Sequence, residues 1–287
     1  QRLIASIHDA HLSQRPLVMG VLNVTPDSFS DGGQFASRHK AVEQALRLEQ
    51  EGAAILDVGG ESTRPGAEPV GLQEELDRVI PVIEGIRART QCPISIDTSK
   101  SEVMAEAIRA GANLVNDVTA LKDEGAAEVV AAHQVPVVLM HMQGQPRSMQ
   151  QAPEYGDVVP EISEFLLERV RSCATAGIAP DHIVLDPGFG FGKTLAHNVA
   201  LLAGLPQVVE LGHPVLAGLS RKSMLGQITG RDDPKERVSA SVAAALLAAQ
   251  AGAAIVRVHD VAQTVDALKV WQAVREQQRQ TTRANTP

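Results

Sequence analysis

The sequence predicts one (β/α)8 TIM barrel with long loops over the carboxyl ends of its strands. Eight short apolar runs, at residues 17–22, 54–58, 94–96, 114–115, 136–140, 183–185, 215–219 and 254–258, each give way to a polar, charged or glycine residue. Unbroken Val/Ile/Leu runs mark strands buried on both faces, as in a parallel sheet. Stretches with apolar residues every three to four positions separate the runs, which is helical periodicity. Eight such units within 287 residues favour a closed barrel, with an open doubly wound sheet as the alternative.

The elements follow in order. The first run stops at Asn23, and a helix is expected over 37–50. Glu51-Gly52-Ala53 then turns the chain into the second run, which reaches Gly59 just after Asp57. A helix over 73–90 leads to the third run and Asp97, and a helix over 101–110 closes on Ala110-Gly111-Ala112 before the fourth run and Asn116. Helices over 125–133, 158–176 and 197–205 precede the runs that stop at His141, Asp186 and Ser220. The last units are a helix over 234–251, the Ala251-Gly252-Ala253 turn, the run ending at His259, and a helix over 262–280. Glycine just past a helix end supplies the left-handed cap that such turns need. Three opposite connections, at 23–35, 59–69 and 142–153, are rich in Gly, Pro, Ser and Asp and too long for mere connectors. They read as lids over the strand ends. Residues 1–15 read as a polar N-terminal extension, 16–278 as the barrel, and 279–287 as a disordered tail.

Composition narrows the function. A formal charge of −8 argues against a phosphate-backbone binder, so no nucleic-acid partner is expected. No run approaches the roughly 18 apolar residues of a membrane span. Cys92 and Cys173 lack metal-ligand spacing and make no disulfide framework, so a reducing cytoplasm is the expected location. Of nine histidines, His141 and His259 stand alone at strand ends, without the clustered ligands of a metallohydrolase barrel.

Asp97, Asn116 and Asp186 follow three different strands and project into the barrel mouth. A carboxylate accepts two parallel hydrogen bonds from a guanidine-like edge, and an amide both donates and accepts, so the set suits an aminated fused ring. Capping of the following helices is the other reading of each residue. The stretch DPGFGFGKT at 186–194 misses the phosphate-loop pattern, because Pro187 stands where its first glycine belongs. It reads as a flexible loop presenting Phe189 and Phe191, either as core residues or as a cover for a flat ligand. Ser220-Arg221-Lys222-Ser223 opens a short helix after the seventh strand, where barrel enzymes often bind anions. Arg257 and His259 share a strand face, and with Arg64 and Asn23 they can clamp a diphosphate or its magnesium ion.

Seven segments closely resemble the dihydropteroate synthase family: MGVLNVTPDSFSDG at 19–32, DVGGESTRPG at 57–66, SIDTSK at 95–100, LMHMQG at 139–144, LDPGFGFGK at 185–193, SRKS at 220–223 and IVRVHD at 255–260. The resemblance implies a cytoplasmic homodimeric (β/α)8 enzyme of folate biosynthesis. Such an enzyme joins 6-hydroxymethyl-7,8-dihydropterin diphosphate to p-aminobenzoate, releases diphosphate, and is the target of sulfonamides. It further implies that Asp97, Asn116, Asp186 and Lys222 hold the pterin, and that Asn23, Thr63, Arg64, Arg257 and His259 hold the diphosphate. Asn23 would face Mg2+, the implied cofactor. Phe29, Thr63, Arg64, Pro65, Phe191, Lys222 and Ser223 would complete the p-aminobenzoate pocket, while Asp97, Asp186, Lys222, Arg257 and His259 would carry catalysis. Asp57 and His141 acquire no role. A pterin-dependent methyltransferase, whose barrel is similar, is the competing reading.

Overall fold

The computed structural model describes residues 1–25, 33–63, 66–145 and 148–284. Its centre is an eight-stranded parallel sheet: β1 (Leu17–Asn23), β2 (Ile55–Gly59), β3 (Ile94–Asp97), β4 (Leu114–Asp117), β5 (Val137–Met140), β6 (Ile183–Asp186), β7 (Leu216–Ala217) and β8 (Ile255–Val258). Neighbours pair in the order β6-β5-β4-β3-β2-β1-β8-β7. A parallel bridge between Leu185 and Val215 joins β6 to β7 and closes the barrel. The doubly wound alternative is thereby overturned.

Helices separate the strands as the periodicity requires: α2 (Gly33–Gln50), α3 (Leu72–Arg87), α4 (Ser101–Ala110), α5 (Ala126–His133), α6 (Val158–Thr175), α7 (Leu195–Ala203), α8 (Leu205–Val209), α9 (Ser223–Thr229), α10 (Val238–Gln250) and α11 (Val261–Ala284). The expected helix at 197–205 is two helices, since Gly204 and Pro206 interrupt it. Pro234 opens the expected 234–251 helix with a 3-10 turn instead of an α turn. Gly52, Gly111 and Gly252 have φ of 106°, 120° and 102°, a backbone that side chains resist, and so make the turns into β2, β4 and β8 as expected.

Both chain ends differ from their sequence reading. Residues 2–13 form a helix, α1 (Arg2–Ser13), whose Ile7 and Ala10 are buried against the barrel's inner residues Met19, Ile55, Leu114, Val138, Val184, Leu216 and Ile255. It plugs the bottom of the barrel. At the other end α11 continues to Ala284, past residue 279 where a disordered tail was expected. Arg275 donates to Gln14 O at 2.7 Å and Arg15 pairs with Glu276, so the two termini hold each other in place.

Candidate active site

Side chains alternate along a strand, so an inward residue is followed two positions later by another. Inward Ile55, Leu114, Val184 and Ile255 are therefore succeeded by Asp57, Asn116, Asp186 and Arg257, and Ser95 by Asp97. Core gives way to charge in one step up the barrel. Asp57 has no exposed surface, and Asp97, Asn116 and Asp186 are nearly as buried.

Arg257 ties this layer together. Its Nε donates to Asp57 Oδ2 at 2.6 Å and an Nη donates to Asp97 Oδ2 at 2.8 Å. Asn116 Nδ2 donates to the same Asp57 oxygen at 3.3 Å. One guanidinium cannot neutralise two carboxylates. Burial, only partly offset by Arg257 and reinforced by Asp57, Asp117 and Glu75, pushes Asp97 up to about 7. Burial opposes the Arg257 charge, but Asp57, Asp97 and Asp186 outweigh it and hold the guanidinium above its ordinary range. Burial also raises Asp186, against the pull of Lys222. Lys222 is lowered to about 8, chiefly by desolvation, with Asp186 acting against the drop.

Capping does not explain Asp97 or Asn116, because their neighbours take that work. Thr98 Oγ1 accepts from Lys100 N at 3.2 Å, ahead of α4. Asp117 accepts from Thr119 N and Leu121 N, both at 2.8 Å, and bends the chain after β4. Asp186 plays both parts, since its Oδ1 accepts from Gly188 N at 2.8 Å.

The layer floors a cavity of about 390 Å³ lined by Asn23, Thr63, Asp97, Phe191, Lys222, Ser223, Arg257 and His259, together with Ser220, Arg221 and Arg237. Asn116 and Asp186 are buried and do not line it. Ser220 Oγ sits 2.9 Å from His259 Nδ1, and Arg221 pairs with both oxygens of Asp260 at 3.0 and 2.6 Å, which stitches the β7 and β8 ends into one wall. Arg221 holds a left-handed backbone with φ 59°, and that turn sends Lys222 and Ser223 toward the cavity. Phe29, Arg64 and Pro65 lie outside the described residues.

The 186–194 segment is not the flexible loop that its glycines suggest. Carbonyls along it are bonded in succession: Gly188 O by Lys193, Phe189 O by Lys222, Gly190 O by Gln150, Phe191 O by Lys193 and Gly192 O by Tyr155. The glycines serve close approach, as a Cβ at 188 or 192 would lie 1.9 Å from His141 O or 2.2 Å from Gln143 O. Phe189 is core, with no exposure, while Phe191 faces the cavity with Lys222 Nζ 4.7 Å from its ring centre.

Three sets of contacts escaped the sequence reading. Asp57, to which the sequence assigns no role, is the anchor of Arg257 and Asn116. Lys193 and His141 form a buried pair at 3.0 Å behind the glycine loop. Lys100 joins Glu61 to buried Glu75, and Glu61 also accepts from Val70 N at 3.3 Å, which ties together both ends of the 59–70 loop. The apolar alternation places Asp57 on the inward face of β2, and that was the one available signal.

Fold and site together define a barrel enzyme that binds a nitrogen-rich ring over buried carboxylates and an anion on the adjoining cationic wall. Residues 19–259 match the model of the pterin binding enzyme family. Dihydropteroate synthase of Haemophilus influenzae is 52% identical over 259 residues, covering 90% of this chain and 94% of that protein. The Xanthomonas albilineans dihydropteroate synthase structure with 4-aminobenzoic acid superposes with a TM-score of 0.87 at 59% identity, covering 91% and 93% of the two chains. The Yersinia pestis dihydropteroate synthase structure with a sulfonamide drug gives 0.87 at 51% identity, covering 91% and 95%. The chain belongs to the pterin binding enzymes and, within them, to the dihydropteroate synthase family.

Proposed function

We infer that this chain condenses 6-hydroxymethyl-7,8-dihydropterin diphosphate with p-aminobenzoate, giving 7,8-dihydropteroate and diphosphate. The observation that carries the reading is a cavity lined by the buried carboxylate of Asp97 together with Asn23, Lys222, Arg257 and His259. Asp97, Asn116 and Asp186 accept and donate along the pterin edge, and Lys222 reaches its ring from the side. Asn23, Thr63, Arg64, Arg257 and His259 hold the diphosphate. Thr63, Phe191, Lys222 and Ser223, with Phe29, Arg64 and Pro65, form the p-aminobenzoate subsite.

The bond that breaks is the pterin-methyl C–O bond, whose electron pair leaves with diphosphate. The aryl amine donates its lone pair to the resulting cation and loses a proton. Preorganised negative charge below and positive charge beside the bond favour that separation, and no protein nucleophile is required. No group of three His, Cys, Asp or Glu among the described residues can hold a metal ion. A Mg2+ bound by Asn23, diphosphate oxygens and waters fits this donor set, because Mg2+ keeps several waters beside substrate phosphates. When bound, it neutralises charge on the leaving group.

The unit is one catalytic barrel, 16–278, with the N-terminal extension and C-terminal tail attached. None of the described helices is long and apolar enough to cross a membrane, which accords with a cytoplasmic enzyme. Leu247 on α10 and Val270 and Val274 on α11 are more than half exposed on two helices that pack together, and this apolar face supports a homodimer. Sedimentation should give a dimer for the native chain and a monomer for Val270→Glu/Val274→Glu.

The activity test mixes the protein with the pterin diphosphate, p-aminobenzoate and Mg2+ and assays both products. Dihydropteroate and diphosphate in equal amounts are expected. Neither product, together with binding of methyltetrahydrofolate, would hand the case to a pterin-dependent methyltransferase.

A further inference from the structure

Lys193 is 3% exposed and stands behind the cavity wall rather than in it. Its Nζ lies 2.8 Å from Gly188 O, 3.0 Å from Phe191 O and 3.0 Å from His141 Nδ1. Gly188 O also accepts from Phe191 N at 3.1 Å, so residues 188–191 form a tight turn with the amine bridging its two ends. The turn carries Phe191 on its outer side and offers Phe189 O to Lys222. Its inner side has no slack, because Gly188 and Gly192 press against the backbone of His141 and Gln143.

His141 completes the amine in either protonation state. Burial pushes the imidazole down to about 3, with Lys193 and Lys122 adding to the drop, so the ring stays neutral with one N–H and one lone pair. Burial lowers Lys193 to about 7, against the pull of Asp186 and with a contribution from Lys222. An ammonium donates to both carbonyls and to Nδ1. A neutral amine donates to both carbonyls and accepts from Nδ1–H of the other tautomer. Both carbonyl bonds therefore survive the titration of the lysine.

We propose that Lys193, held by His141, is a positioning residue for the second substrate: it sets the Phe191 ring as a wall of the p-aminobenzoate subsite. The proposal rests on the reading that Phe191 packs against the p-aminobenzoate ring. Replacing Lys193 frees the turn at both ends and lets Phe191 swing, without removing any group that touches the pterin.

The test compares the full-length wild-type chain with Lys193→Met, Phe191→Ala, their double variant, His141→Leu and His141→Gln. It reads KM for p-aminobenzoate, Kd for the pterin diphosphate and the melting temperature. Phe191→Ala and Lys193→Met should each raise KM about tenfold, the worth of one ordered aromatic contact, with pterin-diphosphate Kd within about threefold of wild type. The double variant should be no worse than Phe191→Ala. His141→Gln, whose amide also donates or accepts, should match wild type, whereas the KM of His141→Leu should rise as pH falls below about 7, where the ammonium lacks its third acceptor. If Lys193→Met does not fold, the two His141 variants carry the test. Equal loss of both substrates, an additive double variant, or a pH-independent His141→Leu identical to His141→Gln would overturn the proposal. An unchanged KM in Phe191→Ala would instead overturn the subsite on which it rests, and that single variant distinguishes the two failures.

Discussion

The lower and upper halves of the barrel interior are built from the same strands, two residues apart, and they behave as different materials. Below, Met19, Ile55, Leu114, Val138, Val184, Leu216 and Ile255 pack on Ile7 and Ala10 of α1 and exclude water. Above, Asp57, Asp97, Asn116, Asp186 and Arg257 fill the next positions with charge and amide groups. Burial of the lower layer stabilises the fold by roughly 1.5–3 kcal/mol per large side chain. Burial of the upper layer costs stability and is retained because a ligand uses it. A substitution should therefore affect stability in the lower half and catalysis in the upper.

The largest effect is expected from Asp97→Ala, which leaves ligand N–H groups unpaired in a buried site. A loss of about 2–5 kcal/mol of transition-state binding corresponds to a roughly 30- to 5,000-fold drop in kcat/KM. Unchanged kcat/KM would remove Asp97 from the site. Its fold should not suffer: the raised pKa of Asp97 means that the folded state carries the extra proton between the unfolded value near 4 and about 7. The resulting loss of stability begins above about pH 4, is partial at pH 5 and is complete at pH 8. Asp97→Asn should thus raise urea stability more at pH 8 than at pH 5. Ile55→Ala, in the lower layer, is expected to lower stability by about 2–5 kcal/mol and to leave kcat/KM within about threefold. A large activity loss with an intact fold there would erase the division between the halves.

Strand-end chemistry was legible in the sequence because the apolar runs stop at polar residues, among them Asp97, Asn116, Asp186 and His259. Lys222 and Arg257 stand within two residues of such an end, and the structure places Asp97, Lys222, Arg257 and His259 on the cavity while Asn116 and Asp186 are buried and do not line it. The role of Asp57 was not legible, because its partner Arg257 lies 200 positions away, and nothing local distinguishes an anchoring carboxylate from an idle one. The glycine loop misled for the same reason. Its glycines signal freedom only until Gln150, Tyr155 and Lys222 bond its carbonyls, and those partners come from other loops. At the N-terminus, Ile7 and Ala10 lie three apart on one face of a helix otherwise rich in polar groups. That stripe was too short to outweigh the composition.

Two of the shifted groups of the upper half, Asp97 and Lys222, set a pH window. Asp97 must be ionised to accept two N–H groups, and it is held at about 7 in the empty site. Lys222 must be charged to donate to the pterin, and it is lowered to about 8. In the free enzyme both conditions meet only between these values. kcat/KM for the pterin diphosphate should accordingly be bell-shaped, falling about tenfold per pH unit on either side of that window. Binding of 6-hydroxymethyl-7,8-dihydropterin without phosphates should show the same limbs, which assigns them to the protein and not to the leaving group. A flat profile from pH 6 to 9 would mean that neither charge is required.

The smallest effects belong to the loops, which border the upper half without forming its floor. Glu61 accepts from Val70 N and pairs with Lys100, so the 59–70 loop is tied at its base while Thr63 reaches the cavity. Phe29→Ala removes a side chain assigned to the second substrate alone, and Arg64→Ala one assigned to both substrates. Each should raise KM for p-aminobenzoate about three- to tenfold, the range of a peripheral contact of roughly 0.7–1.4 kcal/mol. Kd for the pterin diphosphate, measured calorimetrically, should stay within about twofold in Phe29→Ala. In Arg64→Ala it should rise modestly, because that residue is also assigned to the diphosphate. Equal loss of both substrates in Phe29→Ala would show that the loops and floor act as one site, and the boundary between them would have to be redrawn.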